Sequence, residues 1–389
     1  MGGRNFDAAN AVLQAEVDAR RLPGVSAAVM VNGEVVDQFC SGQADLEAGL
    51  PLRLDAIHRA FSNSKLITSV LTLMLADEGR FGLDDPIAEW LPELKALRVM
   101  RAGATALDDT EPLARPVSIR QLLTHTAGFS HGVFEPGTPL HEAYLASGVR
   151  SADTPLSDLP RRLAALPLQF QPGEGWDYAL GCDLLGRLAE VVSGRSFGEL
   201  LRERLFGPLA MVDTGFVLRP DQAPRLAALY AGDMADPMKS GLRRLEGTPW
   251  PGAYLQPVAR QSGAGGLVST QADMLALLRA LRPGQGLLKD ATLAALCTDQ
   301  LPPQRCVRFA FTGALPMLGF GLGGAVTRTA VAGTPAAQAG ELQWGGLAAT
   351  HWWLHAASGT AGVLMTQRFM GFWHPFWAEY RARVVQALG

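Results

Sequence analysis

The stretch FSNSKLITSVLTLMLA, residues 61 to 76, decides how the rest of the chain is read. Ser62 and Lys65 stand one helical turn apart, which puts both side chains on one helix face. Residues 66 to 76 are an apolar run too short to span a bilayer, so they predict a buried core helix. The chemistry needs that setting. A serine hydroxyl is a weak nucleophile near neutral pH and must give its proton to a base as it attacks. Apolar surroundings disfavour an ammonium ion, so a lysine placed there can act as the base. Ser62 at the helix start also lies near the positive end of the helix dipole, where a developing oxyanion is favoured. The spacing alone arises by chance in about one chain in six of this composition. The pair therefore needs support from elsewhere in the chain.

Outward from this helix, both ends of the chain read as β-rich. Residues 6 to 20 have helical spacing and are stopped by Pro23-Gly24. The segments VSAAVMV and EVVDQFC follow, joined by Asn32-Gly33, the two-residue signal of a type I′ hairpin. Near the other end ELQWGG, THWWLHA and AGVLMTQR read as short strands, with a turn at Ala357-Ser358-Gly359 and a closing helix from about 375 to 388. Residues 60 to 280 carry mainly helical patterns broken by Pro/Gly loops. This predicts an α+β fold in which N- and C-terminal segments build one antiparallel sheet flanked by helices, with a mainly helical subdomain inserted. The boundaries are about 1–60 and 265–389 for the sheet part and about 61–264 for the insertion, within a single catalytic domain spanning 1–389. A cleft between the two parts is the natural site.

Further segments stand in order after Ser62: VSIRQLLTHTAGF at 117 to 129, FQPGEGWDYALGCDLLG at 170 to 186, SGAGGLVST at 262 to 270 and LQWGG at 342 to 346. Together, and over nearly the whole chain, they resemble the class C β-lactamases, the DD-peptidases and, most closely, the family VIII carboxylesterases. The resemblance implies the β-lactamase/transpeptidase-like fold and assigns Tyr178, in Tyr178-Ala179-Leu180 after Pro172-Gly173, as partner of Lys65 in proton transfer. A phenol beside an ammonium group loses its proton more readily, so such a pair can pass the serine proton on to the leaving group. The family's third motif, usually Lys-Thr-Gly, is matched by Trp344-Gly345-Gly346. It implies an oxyanion hole made by the Ser62 and Leu347 N–H groups, with Trp344, Gly345 and Gly346 at the substrate. Two departures bear on substrate. Leu180 replaces the usual asparagine and Trp344 the usual lysine, which removes polar anchors and points to neutral esters of modest size. The expected activity is a serine carboxylesterase, hydrolysing or transesterifying short-to-medium acyl esters through a Ser62 acyl-enzyme. A β-lactamase or D-amino-peptide/amide hydrolase of the same fold is the alternative, and a non-catalytic binding protein a more distant one.

Composition narrows the field further. Net charge of −3 argues against nucleic acid as partner, and the 48% hydrophobic, 18% charged balance belongs to a compact enzyme. Only four of the 34 basic residues are lysines, Lys65 among them. The first 20 residues lack the apolar core of a secretory signal, so a cytoplasmic location without membrane insertion is expected. Cys40, Cys182, Cys297 and Cys306 have no metal-type spacing and read as reduced packing residues; no metal or other cofactor is expected. Three competing motifs remain. Gly128-Phe129-Ser130-His131-Gly132 spells a nucleophile elbow, but a helix-like segment rather than a strand precedes it. Gly319 to Gly324 spells a dinucleotide fingerprint without a following helix. His351 and His355 stand four apart, yet in a strand-like segment, and read as structural or cleft-lining.

Overall fold

The computed structural model describes residues 4–132, 136–310, 312–329 and 339–389. An eight-stranded sheet uses the two ends of the chain. Its strands are β1 (Gly24–Val31), β2 (Glu34–Asp45), β3 (Leu50–Pro51), β4 (Leu318–Phe320), β5 (Ala325–Thr327), β6 (Leu342–Gly345), β7 (His351–His355) and β8 (Thr360–Thr366), in the spatial order β4-β5-β6-β7-β8-β1-β2-β3. All the pairings are antiparallel, and β1 meets β8 with Ala28 opposite Val363. The β1–β2 turn is made by Asn32 and Gly33, both at positive φ (51° and 90°), as a type I′ turn requires.

Two-residue periodicity divides the sheet's side chains between two cores. Val25, Ala27 and Val29 of β1, with Trp353 and Leu364, pack under the terminal helices α1 (Asp7–Asp18) and, at the far end, Phe376–Leu388. Ala28 and Met30, with Trp352, Leu354, Val363 and Met365, face the larger core. That core is built around α2 (Ser64–Asp77), α3 (Gly181–Ser193) and α4 (Gln271–Ala280). Helix α2 is mostly apolar because it is enclosed on nearly every side: Leu66, Ile67, Val70, Leu71 and Leu73 have no exposed surface. Each such side chain contributes about 1.5–3 kcal/mol by leaving water, enough to anchor the helix that carries Lys65.

Two features were not foreseen. The strands β4 and β5 extend the sheet beyond β6, and their hairpin occupies the glycine-rich segment 319–324. Between residues 207 and 264 the chain forms no α-helix, only a single 3-10 turn and two-residue strands. Pro208, Pro220, Pro224, Pro237, Pro249, Pro251 and Pro257 interrupt any helical run there, since proline lacks the N–H and clashes with the preceding turn. Among the described residues no helix is long and apolar enough to cross a membrane.

Candidate active site

Ser62 sits at the junction of the two layers. The short strand His58–Arg59 pairs with Val268–Ser269, and the chain then enters a 3-10 turn, Phe61–Asn63, that runs directly into α2. Phe61 adopts φ 44°, a left-handed conformation that costs a bulky residue energy and persists only when its surroundings impose it. The β6–β7 connection imposes it here. Thr350 Oγ1 donates to the Ala60 carbonyl at 3.3 Å, and the Gly346 N–H donates to the Thr350 carbonyl at 2.7 Å. A Cβ on Gly346 would collide with Thr350 Oγ1 and the Ala60 carbonyl, so only glycine permits this approach.

Three side chains converge on this turn. The Tyr178 hydroxyl donates to Ser62 Oγ at 2.7 Å, and Lys65 Nζ approaches the same oxygen at 3.4 Å. Lys65 also donates to the Ala264 carbonyl at 2.7 Å and lies 4.4 Å from the centre of the Tyr178 ring, within cation–π range. Lys65, at 3% exposure, is thus held by a backbone carbonyl rather than by an acid. That carbonyl is itself fixed. Asp183 on α3, 1% exposed, accepts from the Ala264 N–H (2.9 Å), Ser262 Oγ (2.8 Å) and Arg260 Nη2 (2.8 Å). A chain of bonds therefore runs from Arg260 through Asp183 and residue 264 to Lys65 and Ser62.

Tyr178 is positioned by His125, whose role sequence reasoning missed. His125 stands at φ 58°; its carbonyl accepts from the Asp177 N–H (3.0 Å) and its Nδ1 accepts from the Ala179 N–H (3.1 Å). An accepting Nδ1 requires an uncharged ring, and burial, followed by the charge of Lys65, holds His125 well below the ordinary histidine range. On the other side Trp344 Nε1 donates to the Tyr178 hydroxyl at 3.4 Å, and His131 stacks on the Tyr178 ring at 5.5 Å. The phenol is clamped on both faces.

Two cavities open on Ser62. The larger, about 410 Å³, lies within the usual range for small-molecule sites; its walls include Leu180, Trp250, Arg150, Arg260, Phe369 and Met370. The smaller, about 30 Å³, is an aromatic slot of Phe309, Trp344, Phe372 and Trp373. Ser62, Tyr178 and Leu347 line both. Neither the Ser62 nor the Leu347 N–H has a backbone acceptor among the described residues, and Gly345 borders the slot.

The structure thus brings together Ser62, Lys65, Tyr178, Trp344, Gly345, Gly346 and Leu347. The competing motifs supply no second nucleophile there, although His131 of one of them stacks on Tyr178 and lines the larger cavity. Ser130 follows the short helix Ile119–Leu123 and a loop, not a strand, and its buried Oγ accepts from the Gly132 N–H at 3.0 Å. His351 is buried and stacked on Trp377 at 4.1 Å, while His355 is half-buried and hydrogen-bonded to Ser358. Neither lines the cavities, so of the two readings the structural one holds. Among the described residues no group of three or more His, Cys, Asp or Glu is arranged for a metal ion. Phe309, Arg150 and Trp250 carried no sequence signal at all, because they reach the site from loops and a short hairpin whose position is set only by tertiary packing.

Comparison with known proteins gives the family and the fold. The beta-lactamase family model matches residues 9–386. Esterase EstB of Burkholderia gladioli is 32% identical over 372 residues, covering 92% of this chain and 89% of that protein. A lovastatin esterase of Penicillium rubens is 31% identical over 377 residues, covering 90% of each. Among solved structures, EstCE1, a hydrolase with promiscuous acyltransferase activity, superposes with a TM-score of 0.82 at 27% identity, covering 97% of this chain and 98% of that one.

Proposed function

The chain belongs to the beta-lactamase family and is a serine hydrolase of its esterase-like branch, and from that premise we propose that it cleaves carboxylic esters through a covalent acyl-enzyme on Ser62. The observation that carries the reading is the 2.7 Å contact between the Tyr178 hydroxyl and Ser62 Oγ, with Lys65 Nζ 3.4 Å from the same oxygen.

In the proposed reaction Ser62 Oγ attacks the ester carbonyl while its proton passes to the Tyr178/Lys65 pair. The tetrahedral oxyanion lies against the Ser62 and Leu347 N–H groups. Its collapse breaks the bond to the alkoxy oxygen, which takes the proton from the same pair and leaves as the alcohol. Water, or a second alcohol, then repeats the steps in reverse and frees the acyl group as an acid or a new ester. The Lys65–Ser62 separation is long for a hydrogen bond, and such contacts tighten when substrate fills the site. Leu180 and Trp344, standing where the β-lactam-cleaving relatives usually have asparagine and lysine, favour esters over β-lactams. The chain acts as one catalytic domain with the site between its sheet and its inserted part. A cytoplasmic location belongs to this reading; its support is that all four cysteines are free thiols, as a reducing compartment maintains them.

The test is hydrolysis of a p-nitrophenyl ester series by the parent, Ser62→Ala and Ser130→Ala, with nitrocefin in parallel. Loss of activity in Ser62→Ala alone, with esters turned over far faster than nitrocefin, is the expected result. A dead Ser130→Ala would refute the nucleophile, and a preference for nitrocefin would refute the substrate class.

A further inference from the structure

Among the described residues, the wall of the larger cavity carries an excess of positive charge. Arg150, Arg260 and Asp183 line it, together with His131. Burial and the neighbouring cations hold His131 well below its ordinary range, so it is uncharged. Asp183 neutralises one guanidinium, that of Arg260. Among the described residues Arg150 donates only to the Gly132 carbonyl, at 3.3 Å, and forms no ion pair with an acid. It is exposed at the cavity edge, where a ligand can reach it. Arg150 and Arg260 line the same cavity.

Arg260 supplies the second observation. It is 5% exposed, Asp183 takes its Nη2, and its buried Nη1 has no hydrogen-bond partner. An unmatched guanidinium edge inside a protein is costly, and the group that satisfies it best is a planar anion. The slot on the other side of Ser62 offers the reverse environment, small and aromatic. Building on the esterase reading above, we propose that the substrate is an ester whose larger half carries a carboxylate, seated in the larger cavity against Arg150, with Arg260 in the same wall. The smaller half occupies the aromatic slot. This revises the expectation of wholly neutral esters: the cation missing from the third motif at Trp344 is supplied from a different wall.

The anion belongs either to the acyl half or to the alcohol half, and two arms separate them. The first compares mono-p-nitrophenyl adipate, pimelate and suberate with p-nitrophenyl hexanoate, heptanoate and octanoate. The second compares 3-carboxyphenyl butyrate with 3-methylphenyl butyrate. A charged hydrogen bond gained at the cavity wall predicts that one anionic series exceeds its neutral partners by about tenfold or more in kcat/KM. Arg150→Gln is then expected to lower the anionic-to-neutral ratio by a similar factor, and Arg150→Glu to shift preference towards p-nitrophenyl 6-aminohexanoate. A neutral preference in both arms, or a ratio unmoved by Arg150→Gln, overturns the inference while p-nitrophenyl butyrate turnover through Ser62 leaves the esterase reading standing. Absence of turnover of p-nitrophenyl butyrate and of every other ester overturns both.

Discussion

Replacing Asp183 by asparagine tests whether a buried ion pair holds the lysine in place. The carboxylate accepts three hydrogen bonds at 2.8–2.9 Å, from Arg260, Ser262 and the Ala264 N–H, at 1% exposure. Asparagine keeps the shape but offers one oxygen, and its NH2 must then face a donor. Breaking a buried pair by removing one partner costs about 3–5 kcal/mol, because the remaining charge is left uncompensated. With an unfolding entropy of about 2.1 cal/mol/K per residue, a 389-residue chain loses roughly 4–6 °C in Tm for that cost. Activity falls as well. Ala264 presents the carbonyl that holds Lys65 at 2.7 Å, and Lys65 already stands 3.4 Å from Ser62. A displacement approaching 1 Å lowers kcat by up to about a hundredfold. The assay is thermal and urea unfolding of the purified variant, with kcat and KM on p-nitrophenyl butyrate. The double variant Asp183→Asn/Arg260→Gln removes the stranded charge and is expected to regain much of the Tm. If Asp183→Asn melts within 1 °C or so of the parent and keeps its kcat, the chain of bonds from Arg260 to Lys65 does not position the lysine.

Three further outcomes follow from the same geometry. Tyr178→Phe deletes the hydroxyl 2.7 Å from Ser62 and is expected to lower kcat by about 10²–10⁴-fold with little change in Tm, the range for a lost general acid–base group; kcat within threefold or so of the parent would rule out the relay. Gly346→Ala drives a methyl into Thr350 Oγ1 and the Ala60 carbonyl, costing about 1–3 kcal/mol of stability and shifting the Ser62 turn, so ester turnover should drop more steeply than Tm. His351 is pushed down to about 3 by burial, whereas the unfolded chain titrates near 6.5. The unfolded state therefore takes up a proton first as pH falls, and stability drains away from about pH 6.5 down to about 3, by up to about 1.4 kcal/mol per pH unit. His351→Phe preserves the stack on Trp377 and should shrink the stability lost between pH 7.5 and pH 5 by about 2 kcal/mol, read by urea midpoints; an unchanged difference would show that His351 is not the group responsible.

Local rules made several elements legible in the chain itself. Asn32-Gly33 specifies a type I′ turn whatever surrounds it, and the alternation of Val25, Ala27 and Val29 with Ala28 and Met30 already sorts β1 into two faces. The apolar run after Lys65 could only be a core helix, and the spacing of Ser62 and Lys65 anticipated their juxtaposition, although Ser62 itself stands on the 3-10 turn that leads into the helix. Tyr178, 116 residues from Ser62, was legible through likeness to a family rather than through any local rule.

What the chain did not disclose depends on contacts between segments distant in sequence. His125 reads as an ordinary loop residue until its Nδ1 is seen accepting from Ala179, and Asp183 reads as one more helical acid until Arg260 and Ala264 arrive from 77 and 81 residues away. The added strands β4 and β5 are three residues each, too short for periodicity to mark, and form because β6 offers an open edge. The charge of the cavity is likewise a tertiary property. Arginine at 150 or 260 is unexceptional in a chain that uses arginine for nearly all its cations, and only folding sets both against one pocket in which, among the described residues, Asp183 is the one acid and pairs with Arg260. Sequence alone brought Ser62 and Lys65 together and marked the strands that frame them, because helix and hairpin geometry are local. The tertiary structure decided which residues hold that pair and which ligand charge the cavity accepts, because burial and electrostatics depend on neighbours that the order of residues does not name.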